Sequence, residues 1–276
     1  MVFKLRLFFI IICCLFSLGI FAQPLSPIVI YGDSRTNHDK HLEIARAIGK
    51  VKPAVVFHTG DLVEYGDRPV EWKIFNAISF RFRKGSQFFP CLGNHDIGDN
   101  AKLFRENFNL PNNERWYAVE RQGVYFIIID TNSDLASGSG QLKWLEAKLK
   151  ELSIKDRLKI VIMHSPPFSS GISSYLKNEP VNNLVTLFER YNVSAVFCGH
   201  RHFYERLIKN GITYIVTGGG GAPLHDIKER HPFSKQFKLA YHFCKLTVSS
   251  SSIYVEVLNQ NLGIIDKFHI PARQAE

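Results

Sequence analysis

The sequence is poor in cysteine, and its few cysteines form no recognisable framework. Two of the five lie in an N-terminal apolar run, which leaves Cys91, Cys198 and Cys244 in the rest of the chain. All three fall inside apolar, strand-like segments, and none has the spacing of a zinc ribbon. Because an odd number of cysteines cannot all pair with one another, we expect buried free thiols rather than a disulfide framework.

Blocks of charge of one sign are also absent. The formal net charge is +9, to which Lys4 and Arg6 contribute, and the remaining charge is spread along the chain. Such a spread favours a solvated basic surface over a nucleic-acid-binding stripe, so we expect no nucleic-acid partner. A positive field would still attract anionic substrates such as phosphates.

No apolar run favours a stable membrane span. The run at residues 7–21 covers about 15 residues, whereas a spanning helix needs roughly 20. It follows Lys4 and Arg6 and ends at Ala22. This pattern is typical of an export signal, so we expect residues 1–22 to be a signal peptide and the protein to be periplasmic or secreted. An uncleaved membrane anchor is the alternative.

Internal repeats, low-complexity linkers and breaks in composition are absent as well. With 45% apolar and 21% charged residues, the chain is typical of a globular protein. Short β-rich runs alternate with amphipathic stretches from residue 28 to residue 217, and strands alone follow at 240–248, 252–258 and 263–270. The pattern predicts an α/β protein with two sheets packed face to face and helices outside, in a single domain over residues 23–276.

Short polar motifs follow the predicted strands, and they are the richest signal in the chain. They are Gly32-Asp33, Gly60-Asp61, Gly93-Asn94-His95-Asp96, His164 and Gly199-His200-Arg201-His202. Any one of them also fits a helix cap, a turn or an unpartnered loop histidine. Together they point to one site, because ligands gather at the carboxyl ends of strands in α/β sheets.

The residue types indicate metal binding. Carboxylate, amide and imidazole suit a borderline metal ion, not the thiolate-rich set of a structural zinc site. Two carboxylates and several imidazoles exceed the needs of one ion, whereas two ions about 3.5–4 Å apart would use them all.

Taken in order, the motifs resemble those of the calcineurin-like metallophosphoesterase superfamily. The runs 203–206 (Phe-Tyr-Glu-Arg) and 164–168 (His-Ser-Pro-Pro-Phe) are similar to motifs of its purple-acid-phosphatase-like branch. The resemblance covers residues 28 to 270. It implies a four-layer α/β/β/α sandwich of two mixed sheets flanked by helices, with a di-metal centre between the sheets and one catalytic domain over residues 23–276.

The resemblance also implies a role for each motif. Two divalent or mixed-valence ions (Fe, Mn or Zn) would be bound by six ligands. Asp33 and His202 would hold the first ion, Asp61 would bridge the pair, and the second ion would be held by Asn94, His164 and His200. His95 would be no ligand; it would contact the substrate and protonate the leaving oxygen.

The chain departs from the family near the first ion. Many members have a histidine two residues after the first aspartate, where this chain has Arg35. We interpret Arg35 as a contact to the substrate phosphate, with a structural salt bridge as the alternative. Purple acid phosphatases place a tyrosine three residues after the bridging aspartate, whereas here Glu64 stands there and Tyr65 follows. Either side chain is a candidate additional ligand.

Three further residues are candidates for lining the substrate site. Arg206 fits a substrate contact or a salt bridge equally well. Tyr175 lies in the middle of a Ser/Gly-rich stretch, 169–178, that suits a mobile rim. Gly219 belongs to the glycine run at 218–221, which follows a strand and would let the backbone approach the site closely.

These observations predict a metal-dependent phosphoric ester hydrolase. We expect in-line attack of a metal-activated hydroxide on a phosphorylated small molecule, most readily a phosphomonoester. One alternative is a phosphodiesterase or nuclease with the same di-metal centre. A second is a non-catalytic metal- or phosphate-binding protein in which the first metal position is degraded.

Overall fold

Two mixed sheets form the centre of the molecule. The computed structural model describes residues 25–154, 157–171, 179–249 and 251–272. In spatial order, the first sheet consists of β13 (Ile264–Pro271), β12 (Ser252–Asn259), β11 (His242–Val248), β1 (Ile28–Tyr31), β2 (Val55–His58) and β3 (Gln87–Pro90). The second consists of β10 (Ser234–Lys238), β8 (Tyr204–Lys209), β9 (Ile212–Thr217), β7 (Ala195–Cys198), β6 (Lys159–Met163), β5 (Val124–Ile129) and β4 (Tyr117–Arg121).

Helices cover the outer faces of both sheets. The first sheet is covered by α1 (His38–Val51) and α2 (Pro69–Arg83), and the second by α4 (Gly140–Ser153) and α5 (Glu179–Arg190). A further helix, α3 (Gly98–Asn107), places Phe104 in the core between the sheets. Across the part of the chain that the structure describes, no helix combines the length and apolar content needed to cross a lipid bilayer.

Alternating side chains along the strands build the layers. On β1, Ile28 and Ile30 enter the core between the sheets, while Val29 and Tyr31 pack under the helices. This alternation is the period of two that a strand with two covered faces requires. Between the sheets, the rings of Phe57 and Phe126 stack with their centroids 4.2 Å apart. The predicted four-layer α/β/β/α architecture is therefore confirmed.

Parallel pairing brings several strand ends to one edge of the sandwich. In the first sheet, β1 and β2 pair in parallel, as do β2 and β3. In the second, β5, β6, β7 and β9 form a parallel series. Because parallel strands share a direction, the loops that leave their carboxyl ends meet at the same edge.

Most predicted elements are confirmed. The hairpin turn at Gln122 and Gly123 has φ values of 53° and 77°, as a tight two-residue hairpin requires. Two strands were not predicted. One is β8, whose residues read as a sequence motif, and the other is β10, a polar edge strand without a buried apolar face.

The three cysteines outside the N-terminal run are buried and free, as predicted. Burial raises the pKa of the Cys244 thiol to about 12, and it also raises the pKa of Cys91 and Cys198. Such thiols are structural apolar side chains rather than nucleophiles.

Candidate metal centre

The loops that carry the polar motifs are bonded to one another through their backbones. Asp33 donates its N–H to the Gly60 carbonyl at 3.0 Å, and Gly199 donates to the carbonyl of His164 at 2.9 Å. The N–H of His200 reaches both carboxylate oxygens of Asp33 at 3.0 Å. These bonds connect loops from both sheets, so the motifs form one rigid surface rather than separate turns.

Close approach between neighbouring loops explains the glycines with which the motifs at Gly93 and Gly199 begin. A Cβ on Gly93 would lie 2.2 Å from Oδ1 of Asp61, and a Cβ on Gly199 would lie 2.4 Å from Oδ2 of Asp33. Only a residue without a side chain lets the neighbouring carboxylates come this near. The recurring glycine is therefore required by the packing of one loop against the next.

Three site residues that are not glycine have left-handed backbone conformations. The φ values are 57° at Asp33, 57° at Asp61 and 68° at His200. Such outliers persist where the surroundings determine them, and they cluster at functional sites. The cap of α1 is Asn37, whose side chain accepts the N–H of Lys40 at 3.2 Å. Asp33 is therefore not the cap of that helix, the alternative that the sequence allowed.

One group of buried side chains has the composition of a metal site. Asp33, Asp61 and His202 each offer a ligand atom, and these atoms all lie within 4.8 Å of one another. His202 directs Nδ1 at the carbonyl of Pro223, 2.7 Å away, and its Nε2 lies 3.5 Å from Oδ1 of Asp33. Since the carbonyl takes the ring proton, the lone pair of Nε2 faces the carboxylates.

A second group lies beside the first and shares Asp61. Nε2 of His164 is 3.0 Å from Oδ1 of Asn94, and Nδ1 of His200 is 3.1 Å from the same oxygen. The two ring nitrogens are 3.3 Å apart, and His164 Nε2 is 3.4 Å from Oδ1 of Asp61. Nδ1 of His164 faces the carbonyl of Thr59 at 2.9 Å, which leaves its Nε2 without a proton.

Charges within the site shift several pKa values. Burial opposes the charge on Asp33, but its interaction with His202 and with the imidazoles of His164 and His200 lowers its pKa to about 2. Burial likewise opposes protonation of His164, yet Asp61 and Asp33 raise its pKa. Burial and the neighbouring His164 lower the pKa of His200 to about 4. The site thus stays anionic at its centre, which favours a cation.

His95, Arg35 and Glu64 form the edge of this site. The His95 N–H donates to Oδ1 of Asp61 at 3.0 Å, and its Nδ1 lies 2.9 Å from the Glu64 carbonyl. Arg35 places Nε 3.2 Å from Oδ2 of Asp61 and Nη1 2.5 Å from Oε2 of Glu64. Arg35 therefore forms the structural salt bridge that was its alternative assignment. The Glu64 carboxylate accepts hydrogen bonds from Arg35 and from the Thr36 hydroxyl.

The remaining predicted residues divide between the site and its surroundings. Tyr65 is 45% exposed, and the Arg68 guanidinium lies 3.8 Å from its ring centroid, so Tyr65 is outside the two ligand groups. Arg206 forms the salt bridge that was one of its two assignments, because its Nε contacts Asp266 at 2.8 Å.

The glycine run lies behind Asp33, although Gly219 itself faces another side chain. A Cβ on Gly218 would lie 2.8 Å from Oδ2 of Asp33, whereas one on Gly219 would lie 2.2 Å from Nδ1 of His242. The run therefore supports the site through Gly218. Tyr175 lies outside the described residues.

Asp96 is a site residue to which the sequence assigned no role. Its carboxylate is fully buried and accepts the N–H groups of Asp61, Leu62 and Gly93 at 2.8 to 2.9 Å, and that of Val63 at 3.2 Å. Burial and the Asp61 carboxylate raise its pKa to about 8, although the N–H donors favour the charged form. In the sequence, the only feature that could have pointed to Asp96 is its place at the end of the motif at residues 93–96.

The donor set fits metal ions. In each group the unprotonated nitrogens and the oxygens face one another, while the ring protons of His164 and His202 are directed to carbonyls. Converging acceptors of this kind repel one another unless a cation or a proton lies between them, and metal ligands of these types bind in their unprotonated forms. A four-layer sandwich with a metal-ligand set at one edge is the arrangement that the resemblance to the calcineurin-like metallophosphoesterases implied.

The family assignment follows from comparison with known proteins. Residues 26–204 match the family described as "Metallophos: Calcineurin-like phosphoesterase", and the chain belongs to this family. It is 27% identical to the Fe(3+)-Zn(2+) purple acid phosphatase 12 of Arabidopsis thaliana over 71% of the chain and 47% of that protein. The chain thus spans about half the length of this relative.

Two further comparisons give another relative of the chain and a solved structure with the same fold. A nucleotide pyrophosphatase/phosphodiesterase of Hordeum vulgare is 24% identical over 78% of the chain and 71% of that protein. The solved structure of a purple acid phosphatase from yellow lupin (Lupinus luteus) seeds superposes with a TM-score of 0.78 at 22% identity, over 89% of this chain and 53% of that one.

Proposed function

We propose that this protein is an exported, two-metal hydrolase of phosphate monoesters. One observation carries the proposal: the acceptors of Asn94, His164 and His200 converge beside the group formed by Asp33, Asp61 and His202. Asp33 and His202 would hold the first ion, the other three would hold the second, and Asp61 would bridge them. Bound there, the ions would activate a water molecule and spread the charge that develops on the phosphoryl oxygens.

His95 is proposed as the proton donor to the leaving oxygen. Its Nδ1 is held by the Glu64 carbonyl at 2.9 Å, so Nε2 is the nitrogen available for proton exchange. Its side chain is 28% exposed at the edge of the site. His95→Gln should lower kcat by about 100-fold or more while leaving the metal content unchanged. Loss of metal in this variant would contradict the assignment.

Arg35 is proposed to contact the phosphate from the position where Asp61 and Glu64 hold it. A guanidinium can donate to two oxygens at once, and Glu64 competes for these donors until the substrate arrives. The salt bridge therefore pre-orients Arg35 and does not remove it from the site.

Hydrolysis of an aryl phosphate and of the matching bis-aryl phosphodiester tests the activity. The protein would be stripped of metal and reloaded with Mn, Fe or Zn. We expect faster turnover of the monoester. Faster turnover of the diester would favour a phosphodiesterase or nuclease, the activity class named for the Hordeum vulgare relative. Lack of hydrolysis with every metal across the pH range would overturn the proposal.

A non-catalytic binding protein is the second candidate. It is motivated by the ion pair of Arg35 with Asp61, since a cation 3.2 Å from Oδ2 competes with a metal ion for that oxygen. Metal analysis separates the candidates. Two equivalents per chain support the enzyme, whereas one equivalent without turnover supports the binding protein.

Export is proposed from the N-terminal sequence, and residues 1–22 lie outside the described residues. The proposal further takes residues 23–276 as one catalytic domain. Expression with the native N-terminus in a bacterial host, followed by N-terminal sequencing of the exported protein, should give Gln23 as the first residue. Retention of the full chain in the membrane fraction would support the anchor instead.

A further inference from the structure

Residues 223–225 contact the proposed ligand His202 at its backbone, at one ring nitrogen and on one face of its ring. Nδ1 of His202 is 2.7 Å from the Pro223 carbonyl, and the N–H of His225 donates to the His202 carbonyl at 3.1 Å. The N–H of His202 reaches Nδ1 of His225 at 3.4 Å. The two imidazoles stack with centroids 3.9 Å apart and an angle of 22° between their planes. Backbone and ring of His202 are therefore both fixed by this short segment.

These contacts fix one tautomer and one orientation of His202. Because the Pro223 carbonyl accepts the Nδ1 proton, Nε2 keeps the lone pair, and this atom lies 3.5 Å from Oδ1 of Asp33. Stacking against His225 prevents the ring from turning about its bond to Cβ. Partners that fix a ligand imidazole in this way commonly set metal affinity.

The residues just before this segment hold the backbone at Asp33. The N–H of Ala222 donates to the Asp33 carbonyl at 2.8 Å, and the N–H of Gly220 donates to the Gly32 carbonyl at 2.8 Å. Asp33 and His202 are the two ligands that the first metal position does not share with the second. Both are thus supported by residues 220–225. Loosening this segment should affect that position before the other.

His225 is not itself placed as a ligand. Its Nδ1 already accepts the His202 N–H, and its ring lies parallel to the ring of His202. Among the described residues, the buried group that could hold an ion comprises Asp33, Asp61 and His202, without His225.

We propose that His225 is a positioning residue that sets the affinity of the first metal position by fixing His202. The inference rests on the metal centre of the proposed function. It assigns to His225 a role that no sequence motif indicated, because a lone histidine in a polar loop carries no spacing signal.

Cobalt titration of the full-length protein tests the inference without measuring hydrolysis. Metal-stripped protein would be titrated with Co²⁺, with visible absorption as the readout of each bound ion. His200→Ala removes a donor of the second position and so identifies which binding step belongs to the first. His225→Phe keeps a stacking ring but loses the Nδ1 acceptor, whereas His225→Asn keeps an acceptor and loses the ring.

His231→Asn is the matched control. It lies in the same stretch of loop, and its Nδ1 accepts the N–H of Phe233 at 3.2 Å while its ring contacts Phe168. The same type of change is thus made in the same loop at a histidine whose contacts do not include His202, and both binding steps should equal those of the wild type.

We expect His225→Phe to weaken the first position by about 10- to 100-fold and to leave the second within about twofold. His225→Asn should recover part of this loss. Equal weakening of both steps with a lower melting temperature, or no change in either, would overturn the inference. Wild-type protein that binds fewer than two ions would overturn it together with the metal centre. Two bound ions without hydrolysis would overturn only the proposed activity.

Discussion

Asp96 anchors the backbone of the Asp61 loop. Oδ2 accepts the N–H groups of Asp61 and Gly93, and Oδ1 accepts those of Leu62 and Val63. Four donors on one buried carboxylate fix the turn that carries the bridging aspartate. This role explains why the motif continues past His95 to an acidic residue that accepts backbone N–H groups.

Asp96→Asn should therefore destabilise the protein. The amide replaces one oxygen by an NH₂ group, which would face two buried N–H donors, and the expected loss is on the order of 3 kcal/mol. Urea unfolding of the metal-free protein measures it. Asp134→Asn is the control, because Asp134 is exposed and accepts the N–H of Ala136 at 2.8 Å in an ordinary turn. An equal effect of both changes would contradict the anchoring role.

The candidate ligands could be named from the sequence, but the ion pairs that the neighbouring charged residues form could not. Residue type and position after a strand were enough to group Asp33, Asp61, Asn94, His164, His200 and His202 as candidates. The ion pair of Arg35 with Glu64 depends on two loops from different strands, and sequence spacing does not encode that distance. The two assignments of Arg206 stayed open for the same reason, since its partner Asp266 lies 60 residues away along the chain.

Strands and helices with two covered faces or a clear apolar stripe were predicted well. The parallel strands of both sheets read largely as apolar runs, and α2 begins at Pro69, a residue that suits the first turn of a helix. The strands β8 and β10 were missed because pairing, rather than composition, makes them strands. Among the described strands, β10 pairs with β8 alone and exposes polar side chains, so its sequence resembles a loop.

Close contact between loops predicts that Gly199→Ala disrupts the site. Its Cβ would lie 2.4 Å from Oδ2 of Asp33 and 2.8 Å from Oγ1 of Thr59, so the His200 loop must move away from Asp33. We expect at least about a tenfold loss of metal affinity, measured by Co²⁺ titration. Gly140→Ala is the control, because its Cβ would meet nothing within 4 Å. Normal metal binding by Gly199→Ala would contradict the proposed packing.

The layered architecture buries several histidines far from solvent. His41 lies between the rings of Tyr31 and Phe75, with centroid distances of 6.1 and 5.6 Å, and His242 is packed against Tyr204 at 5.3 Å. Burial lowers the pKa of His41 to about 3 and that of His242 to about 4, from the ordinary value of 6.5. Both side chains are therefore neutral in the folded protein near neutral pH.

These two histidines predict a loss of stability in mild acid. Between pH 6.5 and 4 the unfolded chain binds protons that the folded chain does not, so the free energy of unfolding falls as the pH falls. Each group contributes roughly 1.4 kcal/mol per pH unit in that range. His41→Phe keeps a ring between Tyr31 and Phe75 but cannot titrate. Urea unfolding of the metal-free protein from pH 7 to 4.5 should therefore give a shallower pH dependence for this variant. Parallel curves for the variant and the wild type would show that the pKa of His41 is the same in the folded and in the unfolded chain, which would contradict this prediction.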